Sequence, residues 1–279
     1  MKQRIVFGAI GAVLAVSAFL YANAVVILAC VALIALMAIG EFLKAVSVSA
    51  DKCKRPIVVL TYLLSLGMIA GVAYGSLGGD YISGLGYSVI ALALYIILAF
   101  AIMVLKHANI RFADVAVSML GCVYITVSLV HIYLLRAMPE GKLYIWLPFI
   151  IAWLTDTFAY FTGVFFGKHK LIPSVSPKKT IEGSVGGIAG AVIIVLVFQY
   201  VCSKTAGVTP NYITGVLMSL VCSVASQFGD LAASCIKREH DIKDYGSIMP
   251  GHGGVLDRFD SVIYISPLVF MIVYYIGIF

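Results

Sequence analysis

Residues 234–260 read SCIKREHDIKDYGSIMPGHGGVLDRFD and hold thirteen ionisable side chains, Cys235 and Tyr245 included, in a chain of 279 residues that is only 11% charged. Apolar segments at 212–235 and 261–279 flank this run, each long enough to cross a bilayer at about 1.5 Å per residue. The charges are therefore expected at a membrane surface, within reach of lipid headgroups. That placement points to chemistry on a lipid.

The apolar rhythm extends through the rest of the chain. With 62% hydrophobic residues and a mean hydropathy of +1.06, the composition excludes a soluble globule, which needs apolar residues only for one core. Apolar segments recur at 5–21, 24–40, 57–75, 87–105, 114–135, 145–166, 184–202, 212–235 and 261–279. They predict an all-α, polytopic membrane protein of about nine transmembrane helices with a cytoplasm-facing polar cavity. We read it as a single membrane domain, with N-terminal helices over 1–143 and catalytic core helices and cytoplasmic loops over 144–279. A transmembrane barrel is excluded, because its strands would alternate at every second residue and be about half as long. The start of the chain, Met1-Lys2-Gln3-Arg4 followed by an apolar stretch and Ala22-Asn23-Ala24, imitates a secretory signal. Its apolar stretch exceeds the usual h-region of about 7 to 15 residues and a second span follows at once, so a retained span is the better reading.

Orientation follows from the basic residues. With the N-terminus inside, alternate loops place all but Arg136, Lys142 and Lys204 of the 19 Lys and Arg on the inner side. Residues 234–260 are then cytoplasmic and the C-terminus lies outside. The net charge of +6 is thereby concentrated where anionic headgroups and nucleotides would meet it, although the same residues also serve as topology signals. The six cysteines show no CxxC or Cys/His ligand spacing and read as small buried apolar residues rather than zinc ligands or disulfides.

Ionisable residues inside the spans carry the functional signal. Asp156 lies mid-segment and Asp230 near the end of its segment; a carboxylate in hydrocarbon is costly unless it is paired, protonated or bound to a cation. A polar helix-to-helix contact is the alternative use of such a residue. Ser226, Asp230 and Ser234 recur every four residues, as do Asp156 and Tyr160 with Gly163 close behind, so each set shares one helix face. Carboxylates and hydroxyls are hard oxygen donors of the kind that suits Mg²⁺. Between these spans, Ser176-Pro177 reads as an N-cap followed by proline at the first helical position, with Lys178, Lys179 and Thr180 beside an anion-binding helix start. In the last loop, Gly251, Gly253 and Gly254 surround His252 and would let backbone N–H groups approach phosphate oxygens. The chain carries no Walker A sequence and no GxGxxG at a strand-to-helix turn.

Taken in order, Ser234-x-x-Lys237-Arg238, Lys243-Asp244-x-Gly246 and Pro250-Gly251-His252-Gly253-Gly254-x-x-Asp257-Arg258-x-Asp260 specify about fifteen positions over 27 residues. This pattern resembles the signature of the phosphatidate cytidylyltransferases, the CDP-diacylglycerol synthases. Ser176-Pro177-Lys178-Lys179-Thr180-x-Glu182-Gly183 and Asp156-x-x-Ala159-Tyr160-x-x-Gly163 resemble the same family. The strong resemblance covers roughly residues 150–279; the first half matches only as generic membrane helices.

The resemblance implies transfer of a cytidylyl group from CTP to phosphatidic acid at a lipid bilayer, with Mg²⁺ and a second cation such as K⁺. It implies metal ligation by Asp230 and Asp257 with Ser234 beside them, and phosphate binding by Lys237, Arg238, Lys243 and Arg258. His252 would donate to the leaving pyrophosphate or support the glycine turn. Ser176, Lys178, Lys179, Thr180, Asp156, Tyr160, Asp244, Gly253, Gly254 and Asp260 would contact the substrates. A homodimer in a bacterial inner membrane is expected, and no nucleic-acid partner. The nearest alternative is a CTP-dependent kinase or cytidylyltransferase acting on an isoprenoid lipid. A cation-coupled transporter using Asp156 and Asp230 would leave the 234–260 cluster without a purpose, and no paired helical repeats accompany it. The CDP-alcohol phosphotransferase pattern is missing, since Asp230 is followed by Leu-Ala-Ala-Ser.

Overall fold

The computed structural model describes residues 13, 15–48, 52–248 and 253–279. Among the described residues, and beyond a helical stretch at 15–21, the helices follow one another as α1 (Ala24–Ala45), α2 (Arg55–Leu77), α3 (Tyr81–Leu105), α4 (Phe112–Ala137), the single turn α5 (Gly141–Tyr144), α6 (Trp146–Phe166), α7 (Ile181–Thr205), α8 (Tyr212–Glu239) and α9 (Leu256–Tyr275). Strands β1 (Lys170–Ile172) and β2 (Ser176–Thr180) stand between α6 and α7. Among the described residues, seven helical runs are long and apolar enough to cross a membrane: α1 to α4, the joined run Gly141–Phe166, α7 and α8. The protein is thus an all-α, polytopic membrane protein. The expected span at 5–21 lies mostly outside the described residues; its described part, 15–21, is helical.

The chain divides into two compact units, Met1–Ala137 with His240–Arg258, and Met138–Glu239 with Phe259–Phe279. In the first unit α4 packs against α1, α2 and α3. Of the apolar window of α4, 61% is buried, against 17% for α3, so α4 is the core helix of this unit and α3 the most exposed of the four. Without a hydrophobic drive between helices in lipid, association rests on close packing and interhelical hydrogen bonds. Here Thr126 Oγ1 donates to Ser65 Oγ at 2.9 Å, Tyr81 to the Ala137 carbonyl at 2.9 Å and Arg136 to the Ala22 carbonyl at 2.7 Å. The 240–258 segment, which includes the first three residues of α9, belongs to this unit.

In the second unit α6 and α7 lie close because glycines face the partner helix. A Cβ on Gly183 would stand 2.7 Å from the Ala159 carbonyl oxygen, and one on Gly187 2.8 Å from that of Thr155. The i, i+4 pair lets the two backbones approach as no larger residues could. Cysteines depart in part from the expectation: Cys122, Cys202 and Cys222 are buried, Cys30, Cys53 and Cys235 are exposed, and no disulfide forms among the described residues.

Ser176 is not the N-cap of a short helix. Residues 176–180 form β2, antiparallel to β1 with Lys170 opposite Thr180 and Ile172 opposite Ser176. Ser-Pro favours an extended residue before proline in a cap and in an edge strand alike; the partner strand decides between them. The cap is Thr180, whose Oγ1 accepts from the Gly183 N–H at 3.1 Å, and α7 starts at the next residue.

Candidate active site

The second unit encloses a cavity of about 530 Å³, within the range of small-molecule sites, roughly 300 to 1,000 Å³. Asp156, Ala159, Tyr160 and Gly163 border it from α6, which places the predicted shared face of that helix on the cavity. Gln227 and Asp230 border it from α8, and Lys170, Lys178, Lys179 and Thr180 from the ribbon and the helix start. Three lysines and two aspartates therefore meet in one hollow.

Its central contact joins the Lys179 ammonium to Asp230 Oδ2. Both side chains keep about a quarter of their surface exposed, 26% and 28%, so the pair is open to the cavity and its charges can be shared with a ligand. Asp156 also interacts with Asp230 and Lys179, and Asp260, at the start of α9, with Asp230, Asp156 and Lys237. Three carboxylates within mutual electrostatic reach repel one another unless cations intervene. One turn before Asp230, the buried Ser226 hydroxyl has no hydrogen-bond partner among the described residues. Of the Ser226, Asp230 and Ser234 face only Asp230 borders the cavity; Ser226 is buried and Ser234 half-buried. Among the described residues no group of three or more His, Cys, Asp and Glu side chains forms a metal cluster.

The ribbon is anchored by Glu182 in the first turn of α7. Its carboxylate accepts from the backbone N–H of Lys168 at 3.1 Å and of His169 at 3.2 Å, and from His169 Nδ1 at 2.6 Å. This fixes the entry to β1 and with it the position of Lys170.

The predicted site residues of the 240–258 segment belong to the first unit, whereas Ser234, Lys237 and Arg238 on α8 and Asp260 on α9 belong to the second. Asp257 Oδ2 accepts from the Tyr245 N–H at 2.8 Å and from the Gly254 N–H at 3.0 Å, which sets the plane of its carboxylate. Gly253 has φ +85, in the region that favours glycine, and a Cβ there would stand 3.2 Å from Asp257 Oδ2 and 3.4 Å from Asp244 Oδ1. Lys243, Asp244 and Arg258 are exposed. His252 and Gly251 lie outside the described residues.

A model described as the cytidylyltransferase family matches residues 2–276. The chain belongs to this family. The cytidylyltransferase match also takes in the N-terminal half, where the signature gave no purchase. Over 190 residues the chain is 36% identical to the phosphatidate cytidylyltransferase of Staphylococcus haemolyticus (strain JCSC1435), covering 68% of this chain and 70% of that one. It is 38% identical over 189 residues to the phosphatidate cytidylyltransferase of Bacillus subtilis (strain 168), 67% and 69% of the two chains. The enzyme of that name from Staphylococcus aureus (strain COL) is 41% identical over 181 residues, 65% and 66% of the two chains. The resemblance read from residues 234–260 is borne out.

Two residues of this cytidylyltransferase escaped the sequence reading. Gln227, on the cavity wall three residues before Asp230, donates toward the Ser184 and Ser223 carbonyls, both at 3.4 Å; a neutral amide in a span carries no charge signal to find it by. Glu41 is buried on α1 and accepts from the Val255 and Leu256 N–H groups. A carboxylate one residue past the expected span end at 40 was the available signal, and an interfacial position hid it.

Proposed function

We propose that this chain is a phosphatidate cytidylyltransferase, taking CTP and phosphatidic acid to CDP-diacylglycerol and pyrophosphate. The observation that supports it most is the meeting of Lys170, Lys178, Lys179 and Thr180 with Asp156 and Asp230 around one cavity in a membrane protein of this family. A phosphate oxygen of phosphatidate attacks the α-phosphorus of CTP; the new P–O–P linkage forms as the bond from that phosphorus to the bridging oxygen breaks, and pyrophosphate leaves with the electron pair. The nucleophile is already anionic near neutral pH, so no general base is required. The protein must screen two anions from each other and align them.

In this reading Lys178, Lys179 and Lys170 hold phosphates, and Thr180 and Ser176 shape the ribbon that presents them. Asp156 and Tyr160 orient the lipid headgroup. Lys237, Arg238, Lys243 and Arg258 bind further phosphate oxygens, Asp244, Gly253, Gly254 and Asp260 complete the substrate contacts, and His252 serves the leaving pyrophosphate. Asp230, Ser234 and Asp257 are the proposed Mg²⁺ ligands, with a monovalent cation such as K⁺ beside it. The donors suit the ion: Mg²⁺ is usually bound through one or two carboxylates plus substrate phosphates and waters, so a full protein cluster is not needed. When bound it would neutralise phosphate charge. The enzyme sits in a bacterial inner membrane as a homodimer, its N-terminus and active site face the cytoplasm, and it has no nucleic-acid partner. The isoprenoid-lipid alternative draws no support from relatives that all carry the phosphatidate name.

The test is incubation of the purified protein with phosphatidate, Mg²⁺ and CTP labelled at the α-phosphate. Label in a CDP-lipid from the wild type and its loss in Asp257→Asn is the expected result. A folded wild type that moves no α-label to phosphatidate would refute the proposal.

A further inference from the structure

Glu41 is a carboxylate on a transmembrane helix, 5% exposed, and among the described residues no lysine, arginine or histidine pairs with it. An uncompensated buried carboxylate is expensive. What compensates this one is backbone: Oε1 accepts from the Val255 N–H at 3.0 Å and Oε2 from the Leu256 N–H at 2.9 Å, groups 214 and 215 residues away in sequence. Both belong to the start of α9, whose first N–H groups have no partner within the helix.

The seat is made by glycine on both arms of the loop. A Cβ on Gly254 would lie 2.5 Å from Glu41 Oε2, and a Cβ on Gly246 would run into the same carboxyl group. Asp257 works from the other side of this turn, bridging the Tyr245 and Gly254 N–H groups. Two carboxylates therefore share four backbone donors. Glu41 takes the two at the helix start, and Asp257 takes one from each arm. With Glu41 removed, Val255 and Leu256 would be left as buried donors, and the turn that carries Asp257 would lose its tie to α1.

We propose that Glu41 is a positioning residue for the signature loop: through the Val255 and Leu256 amides it holds the turn that sets the Asp257 carboxylate. This rests on the proposed function, because it gives Asp257 a role in the transfer. It assigns the N-terminal half of the chain a part in catalysis beyond supplying membrane helices.

The experiment uses the full-length protein in lipid nanodiscs and the variants Glu41→Gln, which keeps side-chain volume and one acceptor, and Glu41→Ala. Hydrogen exchange without substrate reads the loop, and steady-state kinetics with α-labelled CTP reads the reaction. In Glu41→Ala, exchange at residues 254–257 should speed up at least about tenfold while α4 peptides keep the wild-type rate. In the same variant kcat should fall about ten- to a hundredfold, with KM for CTP and phosphatidate within about twofold. Glu41→Gln should fall between this variant and the wild type. Wild-type kcat in both variants would overturn the proposal, as would unchanged exchange at 254–257. Faster exchange throughout α4 in Glu41→Gln would also overturn it, because the role would then be one of global stability. A wild type without label transfer sinks the proposed function, and is told apart because the exchange measurement still reports whether Glu41 holds the loop.

Discussion

Asp230 and Glu41 are both carboxylates on membrane helices, and the protein neutralises them in opposite ways. Asp230 meets an ammonium on a flexible stem, with each partner about a quarter exposed to the cavity. Glu41 meets two peptide N–H groups and is 5% exposed. An ammonium can move from a carboxylate to a phosphate when a substrate arrives, whereas a peptide N–H is fixed by the chain that carries it. The first arrangement suits exchange with a ligand and the second suits holding a shape. Charge in the membrane thus marks two different tasks.

The contrast has measurable consequences. The largest effect is expected at the exchangeable carboxylate: Asp230→Asn should lower label transfer at least about a hundredfold, as should chelation of divalent cations, with recovery on adding Mg²⁺ only in the chelated wild type. Activity within about twofold of wild type in Asp230→Asn would erase the distinction. Glu41→Ala comes next, with its fall confined to kcat. Lys179→Ala should raise KM for CTP about tenfold, and Lys179→Arg should recover part of the loss, since the charge is kept and the geometry is not; equal damage in both would mean that shape outweighs charge at this corner. The smaller effects concern the scaffold. Gly187→Leu would drive a side chain against the Thr155 carbonyl and should lower thermal stability by about 1 to 3 kcal/mol. Thr180→Ala should cost about 1 kcal/mol through the lost cap. Both are read as thermal unfolding in detergent. A Thr180→Ala loss larger than that of Gly187→Leu would place the ribbon, rather than the helix contact, as the weaker support of the cavity.

Much of this was legible in the chain. Helices α2, α4 and α6 to α8 end within four residues of the expected segments, because an apolar run of that length has few other ways to satisfy its backbone in lipid, whereas α1 runs five residues further, α3 begins six residues earlier and α9 five. The face shared by Asp156, Tyr160 and Gly163 also emerged on the cavity, since helical spacing alone fixes it. The ribbon did not emerge: Ser176-Pro177 fits a cap or a strand equally well, and only pairing with residues 170–172 selects the strand. Gln227 and Glu41 were missed because their importance lies in what they touch.

Membrane class, the segments that become helices and the family can be read from the order of residues, because hydropathy and a dense motif are local properties that survive without partners. That Lys179 meets Asp230, that residues 240–258 join the N-terminal helices and that Glu41 reaches across 214 residues to its amides is visible once the chain is folded. Such pairings depend on which helix faces come together, and in a membrane protein that is settled by glycine contacts and hydrogen bonds between distant segments, for which the order of residues along one helix carries no record.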